Sequence, residues 1–223
     1  MFRVIAFDVY GTLFDITSLC DHVSTIIGIR DPGAFVSTWR SKQLEYTLLL
    51  SLMGRFDDFR SVTMRSLKYV MKQYGLGDRE DLLESLLDGW LNLRPYRDTL
   101  EAIPRIAERY LVVALTNGTR EMVEELLRRS GLEKHFREII SASDVRIYKP
   151  SPFVYRAIER MGVKAGETLM VSSNPWDVAG AINAGLQACY VNRREAPMEE
   201  LDLKPHIVVK NLSQLAEILA GLS

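Results

Sequence analysis

Cysteine, histidine and any excess of one charge are scarce in this chain, and each scarcity removes a class of protein. Two cysteines, Cys20 and Cys189, occur in 223 residues, too few for a disulfide framework. Both lie in apolar stretches and are expected as buried thiols in a reducing compartment. The three histidines form no His-Glu-x-x-His pair, and the Gly-Lys-Ser/Thr loop and the Gly-x-Ser-x-Gly turn are also missing, so zinc-hydrolase, Walker-type nucleotide and serine-hydrolase readings fail. The formal net charge is −1, and the basic residues are scattered rather than gathered into the patch that nucleic acid or an acidic membrane surface requires. No apolar run reaches membrane-spanning length, and no basic leader precedes Phe2-Arg3-Val4-Ile5-Ala6-Phe7. The expectation is a cytoplasmic protein with neither nucleic acid nor membrane as partner.

What is present suits a globular core: 47% hydrophobic and 26% charged residues in a length that fits one large domain or one domain with an insertion. Short runs rich in branched and aromatic residues alternate with longer amphipathic stretches, the pattern of a parallel sheet covered by helices. The runs are Val4 to Phe7, Leu111 to Thr116, Glu138 to Ser141, Thr168 to Ser172, Ala188 to Val191 and His206 to Val209, several apolar throughout, as in strands buried on both faces. From about Ile16 to Leu93 there is no convincing strand. Helical spacing such as Leu44, Leu48, Leu52 predicts an all-helical insertion there, with Gly11-Thr12 and Pro95 as hinges. The fold class is therefore α/β, a Rossmann-like open parallel sheet with an inserted helical cap. The expected division is a core of residues 1–15 and 94–223 and a cap of residues 16–93.

Ligands of open parallel sheets sit beyond the carboxyl ends of the strands. Asp8 falls at such an end, as do Thr116-Asn117 and Ser172, Asn174 and Asp177, while Lys149 follows another run through a short loop. On residue types alone, the lesser alternative is that Asp8 merely caps a helix. The order of residues says more. Asp8-Val9-Tyr10-Gly11-Thr12-Leu13-Phe14-Asp15 resembles the first signature of the haloacid dehalogenase superfamily. Thr116-Asn117-Gly118, Lys149-Pro150 and Ser172-Ser173-Asn174-Pro175-Trp176-Asp177 resemble its second, third and fourth. Within the insertion, Trp39-Arg40-Ser41-Lys42-Gln43-Leu44-Glu45-Tyr46-Thr47 and Ser51-Leu52-Met53-Gly54-Arg55-Phe56 are similar to the cap of the L-2-haloacid dehalogenases.

Most of that superfamily hydrolyses phosphate esters, so the choice of chemistry rests on residues each reaction needs. A phosphatase of this type carries an aspartate two positions after the nucleophile to protonate the leaving alkoxide; here that position is Tyr10, and a phenol of pKa about 10 is a poor acid at neutral pH. Ser173 stands where the first of the paired Mg²⁺ carboxylates would be, leaving Asp177. A halide leaves without a proton and needs no metal. A Mg²⁺-dependent phosphatase and a non-enzymatic binding protein on the same fold are the alternatives.

The resemblance implies a hydrolase for small (S)-2-haloacids, giving (R)-2-hydroxyacids through an ester on Asp8, with no metal and no cofactor. It assigns Lys149 as counter-charge to Asp8, Arg40 as acceptor of the departing halide, and Thr12, Ser172, Asn174, Tyr155 and Asp177 as the network around Lys149 and the hydrolytic water. Thr116, Asn117 and the backbone amides from Val9 to Leu13 would cradle the substrate carboxylate. Tyr10, Leu44, Phe59 and Trp176 would wall the reacting carbon, and Ser41 replaces an expected glutamine. Arg40 is expected as an exposed cap arginine emerging from the Leu44–Leu48 face. The subfamily and the apolar cap helix together imply a homodimer.

Overall fold

The computed structural model describes residues 2–222. Val4–Phe7 (β1) is buried along its whole length, and the chain leaves it through a tight turn into Phe14–Asp15 (β2). Then come Leu19–Ile27 (α1), Pro32–Leu52 (α2), Phe59–Gln73 (α3) and Leu83–Asp88 (α4), with short 3₁₀ turns between them. Each long helix starts where the sequence supplies a cap: Asp31 accepts from the Ala34 amide ahead of Pro32, and Asp58 accepts from the Ser61 amide. Gly28, at φ 59°, ends α1 in the left-handed region.

Arg94–Pro95 (β3) returns the chain to the sheet by pairing antiparallel with β2, Phe14 opposite Pro95 and Asp15 opposite Arg94. This ribbon was not legible in the sequence, because two residues per strand carry no periodicity. It lies where the hinges were expected.

Beyond it run Arg97–Ala107 (α5), Leu111–Thr116 (β4), Arg120–Arg129 (α6), Glu138–Ser141 (β5), Pro152–Arg156 (α7), Thr168–Ser172 (β6), Pro175–Asn183 (α8), Gln187–Val191 (β7), Ile207–Val209 (β8) and Leu212–Ala220 (α9). The six strands of the main sheet are ordered β5-β4-β1-β6-β7-β8, all parallel. The expected strands are thus present, with β7 starting one residue earlier and β8 one residue later than the apolar runs indicated.

The helical insertion is also present, but the face of α2 was misread. Its buried residues are Phe35, Val36, Trp39, Gln43 and Thr47, whereas Leu48 and Leu52 are 45% and 85% exposed. The inner stripe has four-residue spacing too. Its two polar members hid it, while the outward leucines imitated a core face.

The sheet domain packs tightly where α8 crosses α7. A Cβ on Gly180 would lie 2.5 Å from Tyr155 Oη and 2.6 Å from Pro150 Cβ, contacts that only displacement can relieve. Gly180→Ala is therefore expected to destabilise the protein by about 1–3 kcal/mol, seen as a fall of several degrees in Tm. An unchanged Tm would mean that α8 shifts freely on the sheet.

Candidate active site

The chain order reverses around β1: β4 and β5 lie on one side of it, β6, β7 and β8 on the other. That reversal opens a crevice beyond the carboxyl ends of β1, β4 and β6. Asp8 follows β1, Thr116 and Asn117 end β4, and Ser172 ends β6 just before α8. Lys149 enters from the loop after β5, buried with only 1% of its surface exposed.

Both oxygens of Asp8 are held. Oδ2 accepts from Thr12 Oγ1 at 2.9 Å and from Asn174 Nδ2 at 2.8 Å; Oδ1 accepts from Lys149 Nζ at 3.2 Å. The donors are themselves fixed. Thr12 Oγ1 accepts from the Ser173 amide at 2.8 Å, so its own proton is directed at Asp8, and Ser172 Oγ accepts from the Asn174 amide at 3.1 Å. Arg193, which sequence reasoning missed, clamps the same turn from outside: it donates to the Thr12 carbonyl at 3.0 Å, forks onto Asp98 at 2.9 and 3.0 Å, and stacks 4.0 Å over Tyr96.

Lys149 Nζ also donates to Asp177 Oδ2 at 3.0 Å, so one ammonium bridges two buried carboxylates. Tyr155 donates to Asp177 Oδ1 at 2.7 Å. Burial raises the Asp177 carboxyl above its ordinary value, and Asp8 adds to this, while Lys149 and the Tyr155 hydrogen bond pull it back. Burial, and then the charge of Asp177, push the Tyr155 phenol well above its usual value, so it stays a donor. This donor set suits a hard divalent cation poorly: the two converging carboxylates already share an ammonium, and among the described residues no cluster of three Asp, Glu, His or Cys forms.

The amide cradle is narrower than the sequence implied. Gly11, Thr12 and Leu13 use their N–H groups inside the turn, on Phe14 and Val9 carbonyls, which leaves the amides of Val9 and Tyr10. Asn117 Oδ1 accepts from the Lys149 amide at 2.9 Å, turning its NH₂ group to other partners. Thr116 Oγ1 accepts from the Gly118 amide at 3.0 Å and keeps its own proton free.

On the cap side, Tyr10, Phe59 and Trp90 form a ring cluster with centroids 5.4 to 6.4 Å apart, and Trp39 packs edge-on against Trp90. Two expected wall residues are not in it. Trp176 is half-buried on the first turn of α8 and, among the described residues, meets no other ring; Leu44 lines a cavity of about 390 Å³ between cap and core instead. Trp90 belongs to the cluster instead, and no local spacing could reveal that, because it joins from the end of the insertion. Among the described residues, Tyr10 Oη and Trp90 Nε1 are buried with no hydrogen-bond partner.

Arg40 is not an exposed arginine. It is half-buried, with its guanidinium 5.9 Å from the Trp90 ring centre and Nη1 donating to Gln43 Oε1 at 2.6 Å. Desolvation lowers its pKa to about 10, against the pull of Asp8, Tyr10 and Asp177, so it remains a cation at neutral pH. It borders the same cavity as Asn174, Arg193 and Arg194. Cys20 also lines that cavity and is half-buried, contrary to the expectation of full burial; Cys189 is buried in β7, and both thiols are free.

With this geometry, the likeness to known proteins is specific. Residues 2–185 match the family model for haloacid dehalogenase-like hydrolases. The chain is 37% identical over 222 residues to an (S)-2-haloacid dehalogenase of Pseudomonas putida, covering 97% of this chain and 96% of that one. It is 38% identical over 220 residues to another from Pseudomonas fluorescens, covering 96% and 95%. A solved L-2-haloacid dehalogenase of Xanthobacter autotrophicus, with chloropropionic acid covalently bound, superposes with a TM-score of 0.93 at 32% identity over 100% of both chains. The chain belongs to the haloacid dehalogenase-like hydrolases, in the (S)-2-haloacid dehalogenase group.

Proposed function

We propose that this protein hydrolyses small (S)-2-haloalkanoic acids to (R)-2-hydroxyacids and halide through an ester on Asp8. The observation that carries the reading is the occupancy of the Asp8 carboxylate. A carboxylate oxygen has two acceptor sites; Oδ2 has both filled by Thr12 and Asn174, and Oδ1 accepts one bond from Lys149. Oδ1 thus keeps a lone pair to attack the substrate. The covalent adduct of the Xanthobacter relative supports the same chemistry.

The substrate carboxylate is held by the amides of Val9 and Tyr10, the NH₂ of Asn117 and the Thr116 hydroxyl. Oδ1 attacks the halogen-bearing carbon from the rear, the carbon–halogen bond breaks with its electron pair on the halide, and Arg40 receives the new anion. The unpaired donors Tyr10 Oη and Trp90 Nε1, in the ring cluster beside Arg40, make that surrounding more favourable to an anion. Water then attacks the Asp8 carbonyl carbon, not the substrate carbon. Asp177, made more basic by burial, takes a proton from that water; Thr12 and Asn174, both on Oδ2, steady the charge developing on the carbonyl oxygen, and Lys149 beside Oδ1 favours the departure of that oxygen with the product. Collapse cleaves the acyl–oxygen bond and releases the hydroxyacid, whose alkoxide takes the proton held by Asp177, while the second water proton passes to solvent and restores the Asp8 carboxylate.

Burial raises the Tyr10 phenol further above its ordinary pKa, which makes it a still poorer acid and argues against phosphate-ester hydrolysis. Residues 16–93 act as the cap and residues 1–15 and 94–223 as the catalytic core. The free thiols support a reducing, cytoplasmic location. The outward Leu48, Leu49, Leu52 and Met53 at the end of α2 support a homodimer joined through the cap, since large apolar side chains gathered on one exposed helix end favour association.

With racemic 2-chloropropionate and excess chelator, only the S enantiomer should be consumed, giving R-lactate at an undiminished rate; retention of configuration, or loss of activity restored by Mg²⁺, would contradict the proposal. Tyr155→Phe removes a bond that favours ionised Asp177, so Asp177 should titrate higher and the acid limb of the kcat profile should move to higher pH. An acid limb that stays in place would exclude Asp177 as the base.

A further inference from the structure

Gln43 sits on the buried face of α2 with no exposed surface, a position where helix packing alone would favour an apolar side chain. Its bonds form a directed chain. Thr63 Oγ1 donates its only proton to the Phe59 carbonyl at 2.6 Å, so toward Gln43 it can only accept. Gln43 Nε2 donates to it at 2.6 Å, which fixes the amide orientation and leaves Oε1 as the acceptor for Arg40 Nη1 at 2.6 Å. Trp39 Nε1 donates to the Thr63 carbonyl at 3.0 Å, locking α2 to α3 at this point.

We infer that Gln43 and Thr63 are positioning residues that hold the Arg40 guanidinium toward the cleft, and that Arg40 is given an uncharged acceptor so that its full charge stays available to the departing halide. The inference rests on the proposed role of Arg40. The contrast with Arg193 supports it: that arginine is largely enclosed and is neutralised by a forked bond to Asp98, whereas among the described residues the half-buried Arg40 has no ion pair and one hydrogen bond, to a neutral amide. Leaving a buried charge unpaired is costly, so the arrangement calls for a reason. An anion that arrives only during the reaction supplies it. Arg40 borders the cavity, and a carboxylate at position 43 would hold the group equally still while cancelling its charge.

The test measures inhibition by free bromide and the single-turnover rate of bromide release from 2-bromopropionate, with Tm as a check on folding. Gln43→Glu should weaken bromide inhibition and slow bromide release by about tenfold or more, the worth of one charge-assisted hydrogen bond. Thr63→Val should lose part of both, and Thr63→Ser, which keeps the hydroxyl relay, should restore them. Should Gln43→Glu fail to fold, the Thr63→Val and Thr63→Ser pair decides alone. Bromide inhibition and release within twofold of the parent in Gln43→Glu, or equal behaviour of the two Thr63 variants, would overturn the inference. Arg40→Lys separates it from the underlying reading: unchanged bromide inhibition there would remove Arg40 as halide acceptor and the inference with it. A loss in Arg40→Lys but not in Gln43→Glu would remove only the positioning role.

Discussion

One ammonium group between two buried carboxylates organises this site. Lys149 Nζ lies 3.2 Å from Asp8 and 3.0 Å from Asp177, and all three side chains are nearly or fully enclosed. Two carboxylates this close could not both stay ionised in a dry site without a cation between them. Each remaining bond adds direction to that balance: Thr12 and Asn174 fill one oxygen of Asp8, and Tyr155 holds Asp177. Removing any of them would leave a buried charge or donor unmatched, so the cluster is positioned by its own electrostatics as much as by the strands that deliver it.

The two sides of the cleft divide the electrostatic work. The sheet supplies two carboxylates that share one ammonium, while the cap presents Arg40 among aromatic rings with a neutral hydrogen-bond partner. The carboxylates of the sheet side and the Arg40 cation of the cap side thus face each other across the cleft, each attracting the other. The antiparallel ribbon of β2 and β3 joins the two, and Arg193 ties the Asp8 turn to α5 through Asp98.

The sheet and the buried polar cluster at its edge were legible because β1, β4 and β6 are apolar runs that end abruptly in polar residues, and the ends of strands adjacent in one parallel sheet must converge. Asp8, Thr12, Lys149, Tyr155, Ser172, Asn174 and Asp177 accordingly lie in or next to one hydrogen-bonded network. The cap was less legible. Its inner face contains Gln43 and Thr47, so hydrophobic periodicity selected the outward leucines. Trp90 was invisible for a different reason: it reaches Tyr10 and Phe59 only through the packing of the insertion. The buried Phe35-Trp39-Gln43-Thr47 spacing was the one signal that could have singled out Gln43.

The central claim is that a carboxylate oxygen of Asp8 becomes the hydroxyl oxygen of the product. A single turnover of 2-chloropropionate by excess protein in ¹⁸O-labelled water, followed by mass analysis of the peptide containing Asp8 and of the lactate, measures this directly. The account predicts one heavy oxygen in the Asp8 peptide and none in the lactate; label in the lactate hydroxyl with an unlabelled Asp8 peptide would contradict it.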